Sequence, residues 1–132
     1  MAQILEKYLD LLTTKKAFAH LATLMPDGRP QVSPVWIDYF DGAVWFNSAR
    51  GRVKDRNVRR DPRVALAVSD PDNPYRYVGI QGRVSLITEE GAEAHIDRLA
   101  KKYLGVDRYP YRQPGEVRVM YRVEVEKVTG MG

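Results

Sequence analysis

The chain has 132 residues, a length that suits one domain spanning 1–132, and it has no cysteine, which removes disulfides, thiolate metal sites and cysteine nucleophiles. Its net charge is +4, but the excess is local: Arg50 to Arg63 holds seven basic residues against Asp55 and Asp61, so the remainder is slightly acidic. Such concentration points to an anionic partner met at one place and not to a diffuse polyanion coat.

Residues Met1 to Lys16 carry Glu6, Lys7 and Asp10 and lack the apolar run and cleavage site of a secretory leader. No stretch approaches the ~18 apolar residues of a membrane span. The expectation is a soluble, cytoplasmic protein with no membrane partner. Ile4, Leu5, Tyr8, Leu11 and Leu12 recur at helical spacing, which predicts a short helix over 4–13. Ala17 to Leu24 reads as a strand, Met25-Pro26-Asp27-Gly28-Arg29 as a turn, and Gln31 to Phe40 as a second strand. Asp41-Gly42 is a hairpin signal, and Ala43 to Ser48 is the third strand.

Gly51 to Arg60 reads as a helix that Asp61-Pro62 ends, because the residue before proline avoids helical backbone angles. Val64 to Val68 is a buried strand, Asp70 to Pro74 a loop, and Tyr75 to Ile87 a long strand whose Gly79 and Gly82 predict a bulge. Thr88 is the predicted N-cap of a helix through Ala92, Ile96, Leu99 and Tyr103 that stops at Gly105. A loop from Val106 to Gly115 follows. In the last strand Val117, Val119, Tyr121, Val123 and Val125 face one way, and Arg118, Met120, Arg122, Glu124 and Glu126 the other. Six strands joined by short connections, with about three short helices, predict a mainly β, antiparallel barrel.

The chemistry is concentrated where the third strand gives way to the basic helix. A helix start offers free backbone N–H groups and the positive end of a dipole, and Arg52 and Lys54 stand at that start. Arginine grips phosphate oxygens in pairs and lysine adds a compact charge, so the segment reads either as a phosphate site or as a solvated basic helix paired with its own aspartates. Nothing else in the chain offers a reaction centre. His20 and His95 have no third ligand at metal spacing, so no metal site is expected. Neither GxSxG, GxxxxGK nor GxGxxG occurs.

The run Arg52-x-Lys54-x-Arg56-Asn57-x-Arg59-Arg60-Asp61-Pro62-Arg63 resembles the phosphate-binding region of the pyridoxamine 5′-phosphate oxidase-like split-barrel superfamily, in its flavin/deazaflavin oxidoreductase branch. Gly28-Arg29-Pro30-Gln31-x-Ser33-Pro34-Val35, the pair Gln81-Gly82 and the closing Arg118-Val119 strand match in order. The resemblance implies a six-stranded split β-barrel, coenzyme F420 or alternatively FMN as cofactor, and a homodimer with cofactor sites between subunits. It implies that Arg52 and Lys54 bind the cofactor phosphate with support from Asn57. Asn47 and Ser48 would lie at the phosphate or ribityl end, and Gln31, Ser33, Pro34 and Val35 along the ring, with Tyr77 near the cofactor. Hydride transfer between the deazaflavin and a small unsaturated or carbonyl-type substrate is the implied reaction. No catalytic residue is assigned; water or a tyrosine such as Tyr77 are the options for a proton donor. Arg56, Arg59 and Arg60 exceed the need of one phosphate and would suit the anionic oligoglutamate tail of coenzyme F420. Arg112 or Arg118 would be the cation for a substrate phosphate if the chain were instead an FMN oxidase. The other rivals are a cofactor-binding protein without turnover and a nucleic-acid binder, the last opposed by the local nature of the charge.

Overall fold

The computed structural model describes residues 3–132. A single 3-10 turn at Glu6–Tyr8 leads into α1 (Leu9–Thr13), and then come β1 (Ala19–Leu24), β2 (Pro30–Val35), β3 (Ile37–Phe40) and β4 (Ala43–Ala49). The helix α2 (Val53–Arg60) separates these from β5 (Arg63–Asp70) and β6 (Asn73–Thr88), and α3 (Ala92–Leu104) precedes β7 (Arg118–Met131). All strand pairs are antiparallel, in the order β2-β1-β5-β6-β7-β4-β3. The two edge strands, β2 and β3, are consecutive in the chain, so the sheet curls into a split barrel whose opening is crossed at Trp36.

There are seven strands where periodicity predicts six, because the predicted strand from Gln31 to Phe40 breaks at Trp36. The break has a physical cause in α3. The Trp36 indole stacks on Tyr103 with ring centroids 5.2 Å apart. The Tyr103 hydroxyl accepts the Ile37 N–H at 3.0 Å and donates to the Ala17 carbonyl at 2.7 Å, satisfying two backbone groups that the split would otherwise leave unpaired. Burial pushes that phenol up to about 12. Beside it the Lys102 ammonium donates to the carbonyls of Leu12 and Ile37, and its own burial brings it down to about 8.

The barrel interior is apolar. Leu21, Leu66, Val68, Ile80 and Val123 line it, Leu11 and Leu12 close one end, and Phe46 stacks on Tyr121 at 4.5 Å. α1 is clasped to the β5–β6 hairpin by Arg76, which bonds both Asp10 and Asp70, while Lys15 adds a second contact to Asp70. Gly82 marks a register shift between β6 and β7; a Cβ there would stand 2.2 Å from the Glu124 carbonyl oxygen.

The alternation along β7 distinguishes two faces, and the one bearing Arg118 and Met120 is buried at its start, because α3 packs over β4 and β7 and covers the outer side of both. The strand also runs on to Met131. Thr88 is not the N-cap of α3; its Oγ1 accepts the Glu90 N–H in a local turn, and the helix starts instead after Gly91, in a left-handed conformation (φ 83°).

The basic helix is seated by one carboxylate. Gly51 turns in the left-handed region (φ 89°), and its N–H donates to Asp55 at 2.9 Å. The other Asp55 oxygen accepts the Tyr121 hydroxyl at 2.6 Å and Arg59 Nε at 3.0 Å. Asp55 occupies the third helical position, where an acid reaches back to the residues before the helix. Burial alone would push its carboxyl up, but the Tyr121 hydroxyl, the Gly51 N–H and Arg59 outweigh it and hold the group below the ordinary carboxylate range.

Replacing Tyr103 by Phe leaves the Ile37 N–H and the Ala17 carbonyl unpaired and is expected to cost about 2 kcal/mol in urea unfolding. A change below about 0.5 kcal/mol would show that the hydroxyl does not pin the split. For Asp55 the folded pKa lies below the unfolded one. The anion therefore stabilises the fold above the unfolded value of about 3.9, and that contribution is lost as pH falls through the folded value. Asp55→Asn is expected to lose about 2–3 kcal/mol at pH 7 and much less near pH 2, as shown by urea midpoints at the two pH values. An equal loss at both would contradict a charge-dependent anchor.

Candidate functional site

Where β4 ends, the turn at Gly51 delivers the start of α2 to a cleft of about 180 Å³. Arg52, Lys54 and Arg118 bring positive charge to it, and Asn47 and Ser48 contribute from the end of β4. Pro34 and Val35 from β2 form one side, with Phe18 beside them. Trp36, Ile96 and Leu99 close the back, and Tyr109 and Tyr111 from the α3–β7 loop form the opposite rim.

The electrostatics are unbalanced. Arg118 is 4 % exposed; its Nε donates to Asn47 Oδ1 at 2.9 Å, its terminal nitrogen pairs with Glu116, and its guanidinium lies 5.0 Å from the Tyr109 ring centre. Glu116 also faces Arg52 at 3.7 Å. Burial would raise the Glu116 carboxyl, but Arg118 holds it below its ordinary value. Two of the three cations, Arg52 and Arg118, thus share one carboxylate. Lys54 makes no ion pair or hydrogen bond among the described residues, and burial, with the charges of Arg52 and Arg118, lowers its affinity for its own proton. A half-buried ammonium between two guanidiniums is a group that an anion would stabilise. The Ser48 hydroxyl, 1 % exposed and on the cleft lining, has no partner among the described residues, which suits a ligand carrying phosphate-type oxygens.

Of the residues singled out from the sequence, the cleft brings together Arg52, Lys54, Asn47, Ser48, Pro34 and Val35. The others stand elsewhere. Asn57 is buried behind α2, where its amide donates to Thr23 Oγ1 at 3.0 Å. Gln31 accepts from the same threonine at 3.3 Å, so both side chains belong to a polar chain inside the barrel mouth. Ser33 follows Gln31 on the same face of β2, and its hydroxyl is buried without a partner among the described residues. Tyr77 lies on β6 opposite Ser69 and Met131 and does not line the cleft. The surplus arginines are occupied by the chain itself. Arg56 donates to the Gly51 carbonyl at 2.7 Å, Arg59 pairs with Asp55, and Arg60 bonds Asn57 and the Leu24 carbonyl.

The structure adds residues that motif reading did not assign to the cleft. Trp36, Tyr109 and Tyr111 arrive from a strand break and a loop, neither of which has a periodicity to read. Arg118 was named from the sequence only as part of the closing strand and as an alternative substrate-phosphate cation; its place in the cleft follows from the burial of that face under α3. The Val106–Gly115 loop is held by Arg112, which bonds Glu93 and Asp97, and by the Tyr109 N–H on Asp97 at 2.8 Å. Among the described residues no group of three His, Cys, Asp or Glu is placed to hold a metal ion, and no helix is long and apolar enough to cross a membrane. A larger groove of about 370 Å³ crosses the outer face of β1, β5 and β6, lined by Ala22, Ala65 and Gly82 with Arg63 and Glu126 at its margin; it has no comparable concentration of one charge.

Comparison with known proteins agrees with this architecture. A solved structure described as an F420 reductase superposes with a TM-score of 0.82 at 34 % identity, covering 96 % of this chain and 98 % of that one. A conserved hypothetical protein of Mycobacterium tuberculosis superposes at 0.71 with 25 % identity, over 98 % of this chain and 89 % of that one. A pyridoxine/pyridoxamine 5′-phosphate oxidase of Rubrobacter xylanophilus is 35 % identical over 103 residues, which is 74 % of this chain but 46 % of that protein. The chain therefore spans about half the length of that relative. The family model for pyridoxamine 5′-phosphate oxidase matches residues 4–132. Together with the split barrel, this match over nearly the whole chain means that the chain belongs to the pyridoxamine 5′-phosphate oxidase family.

Proposed function

We propose that the chain is a coenzyme F420-dependent oxidoreductase of small organic substrates, with Arg52 and Lys54 holding the cofactor phosphate. The observation that carries the reading is Lys54: a half-buried cation with no counter-charge, flanked by Arg52 and Arg118, in a cleft that also holds the unpartnered Ser48 hydroxyl. The likeness to an F420 reductase over nearly the full length of both chains favours the deazaflavin over FMN. The surplus arginines no longer add weight to that choice, since Arg56, Arg59 and Arg60 have partners in the chain.

In this reading the protein supplies binding and orientation. Arg52 and Lys54 neutralise the phosphate, and Ser48 offers its hydroxyl to it. Pro34, which leaves no N–H to donate, gives the ring a flat, unpolar edge at β2. Trp36, Ile96 and Leu99 keep water from the back of the cleft. When bound, the deazaflavin supplies a hydride to an unsaturated or carbonyl-type acceptor. The open outer face of β1, β5 and β6, with its small residues, supports a homodimer that would enlarge a cleft too small to enclose a whole tricyclic ring. The cysteine-free chain suits a cytoplasmic setting.

Titration of the protein with coenzyme F420 and with FMN, followed by tryptophan fluorescence from Trp36, tests the assignment. Tighter binding of coenzyme F420 is expected. Preference for FMN would make the chain an FMN flavoprotein, and binding of neither would overturn the cofactor site. Arg52→Ala and Lys54→Ala are each expected to weaken the preferred cofactor by about 1.5–3 kcal/mol, roughly ten- to a hundredfold, because each removes a charge-assisted phosphate contact. Unchanged affinity in both variants would remove the phosphate from this helix. Light scattering is expected to give twice the 15.1 kDa chain mass; a monomer at micromolar concentration would rule out sites shared between subunits.

A further inference from the structure

We infer that His95 is a positioning residue of the cleft: as a neutral imidazole protonated on Nε2, it fixes the Asn47 amide and through it the Arg118 guanidinium. The inference rests on the reading of the cleft as an anion site, and it concerns a histidine that metal spacing and motif both leave without a role.

The proton positions follow from the partners. Arg118 Nε can only donate, and it lies 2.9 Å from Asn47 Oδ1. The Ala92 carbonyl can only accept, and it lies 3.0 Å from Asn47 Nδ2. Both neighbours therefore set the amide the same way round. The remaining Nδ2 hydrogen has one acceptor in reach, His95 Nδ1 at 3.1 Å, so that nitrogen is bare. The imidazole proton then sits on Nε2, which lies 3.2 Å from Asp38 Oδ2 in a close electrostatic contact whose angle falls short of a hydrogen bond. Asp38 is in turn gripped by the Arg98 guanidinium and accepts the Tyr39 N–H at 2.9 Å. Burial would raise the Asp38 carboxyl, but His95 and Arg98 bring it down to about 2, so it is an acceptor throughout the neutral range.

The result is a directed hydrogen-bond chain from His95 through Asn47 to Arg118, crossing from α3 through β4 to β7, with the Asp38 carboxylate of β3 in electrostatic contact at its Nε2 end. Each link has one permitted direction. A protonated Nδ1 would face the Asn47 amino group donor to donor, and flipping the amide to relieve it would set its oxygen against the Ala92 carbonyl and its amino group against Arg118. His95 is 5 % exposed and walled by Phe40 and Trp45, so water cannot stand in for the lost acceptor. Arg118 has only Glu116 as its other polar side-chain partner, and Glu116 also faces Arg52, so without Asn47 the guanidinium would be drawn toward the carboxylate and away from the Ser48 side of the cleft.

The test separates an acceptor at Nδ1 from a space-filling ring. Long-range proton–nitrogen NMR of the wild-type protein is expected to show His95 neutral with its proton on Nε2; a proton on Nδ1 would overturn the inference without any variant. His95→Asn keeps an oxygen near the Nδ1 position and is expected to retain the slowly exchanging Arg118 Nε–H signal, with cofactor affinity within about threefold of wild type. His95→Leu fills space without accepting, and is expected to lose that signal and about three- to tenfold of affinity for whichever of coenzyme F420 and FMN the wild type binds. In an Arg118→Ala background His95→Leu is expected to have no further effect on affinity, as for two residues acting in one chain. An unchanged Arg118 Nε–H signal in a folded His95→Leu protein would overturn the inference whether or not a cofactor binds. Loss of that signal without any binding of either cofactor would keep the hydrogen-bond chain and overturn only the cofactor reading.

Discussion

The Asp55 carboxylate is the contact on which the arrangement of the cleft depends. It is buried, it carries charge, and it ties the left-handed turn at Gly51 and the helix α2, through Arg59, to the phenol of Tyr121, which arrives from β7, 66 residues along the chain. Each bond satisfies one lone pair of an anion that the apolar interior would otherwise reject. The geometry of the β4–α2 junction follows. Arg52 falls at the residue before the helix and Lys54 at its second position, and both are delivered to the cleft, Arg52 exposed at its rim and Lys54 half-buried. A basic helix without such a seat would be the solvated surface element that its composition first suggests.

The second constraint is the split itself. A curled sheet with β2 and β3 as its edges must pass chain from one edge to the other, and backbone donors and acceptors at that passage have no strand to pair with. Tyr103 and Lys102 from α3 satisfy them. The same packing of α3 buries the outer side of β4 and β7, carries Arg118 into the cleft, and brings His95 between Asp38 and Asn47. Closing the barrel and building the site are thus one packing event. Glu116 and Asn47 compensate Arg118, leaving Lys54 as the cation of the cleft without a counter-charge among the described residues.

Much of this was legible beforehand. The alternation of Val119, Tyr121, Val123 and Val125, the Asp41-Gly42 hairpin and the stop at Asp61-Pro62 each encode local geometry, and each appears in the fold. The Arg52-x-Lys54 run marked the helix start by charge alone, and its resemblance to a known superfamily led to the right family. What resisted reading was contact between distant segments. The break at Trp36 depends on a tyrosine 67 residues later in the chain, and no local pattern announces it. Thr88 has the chemistry of a cap, yet its hydroxyl closes a tighter turn and leaves the helix to begin at a glycine. Arg118 and Met120 alternate as a solvent face should, because alternation reports two sides of a strand and is silent on what covers the second side.

The sequence by itself determined the class of fold, the place of the basic helix and the kind of ligand that such a helix attracts, since backbone preference, side-chain period and charge are local properties. Only the tertiary structure decided which cations share a cleft and which are consumed elsewhere. Arg56, Arg59 and Arg60 look equivalent to Arg52 and Lys54 in the chain, but they bond the Gly51 carbonyl, Asp55 and Asn57 respectively. Folding leaves Lys54 without a partner among the described residues and Arg52 with a 3.7 Å contact to Glu116, because partners are assigned by three-dimensional proximity.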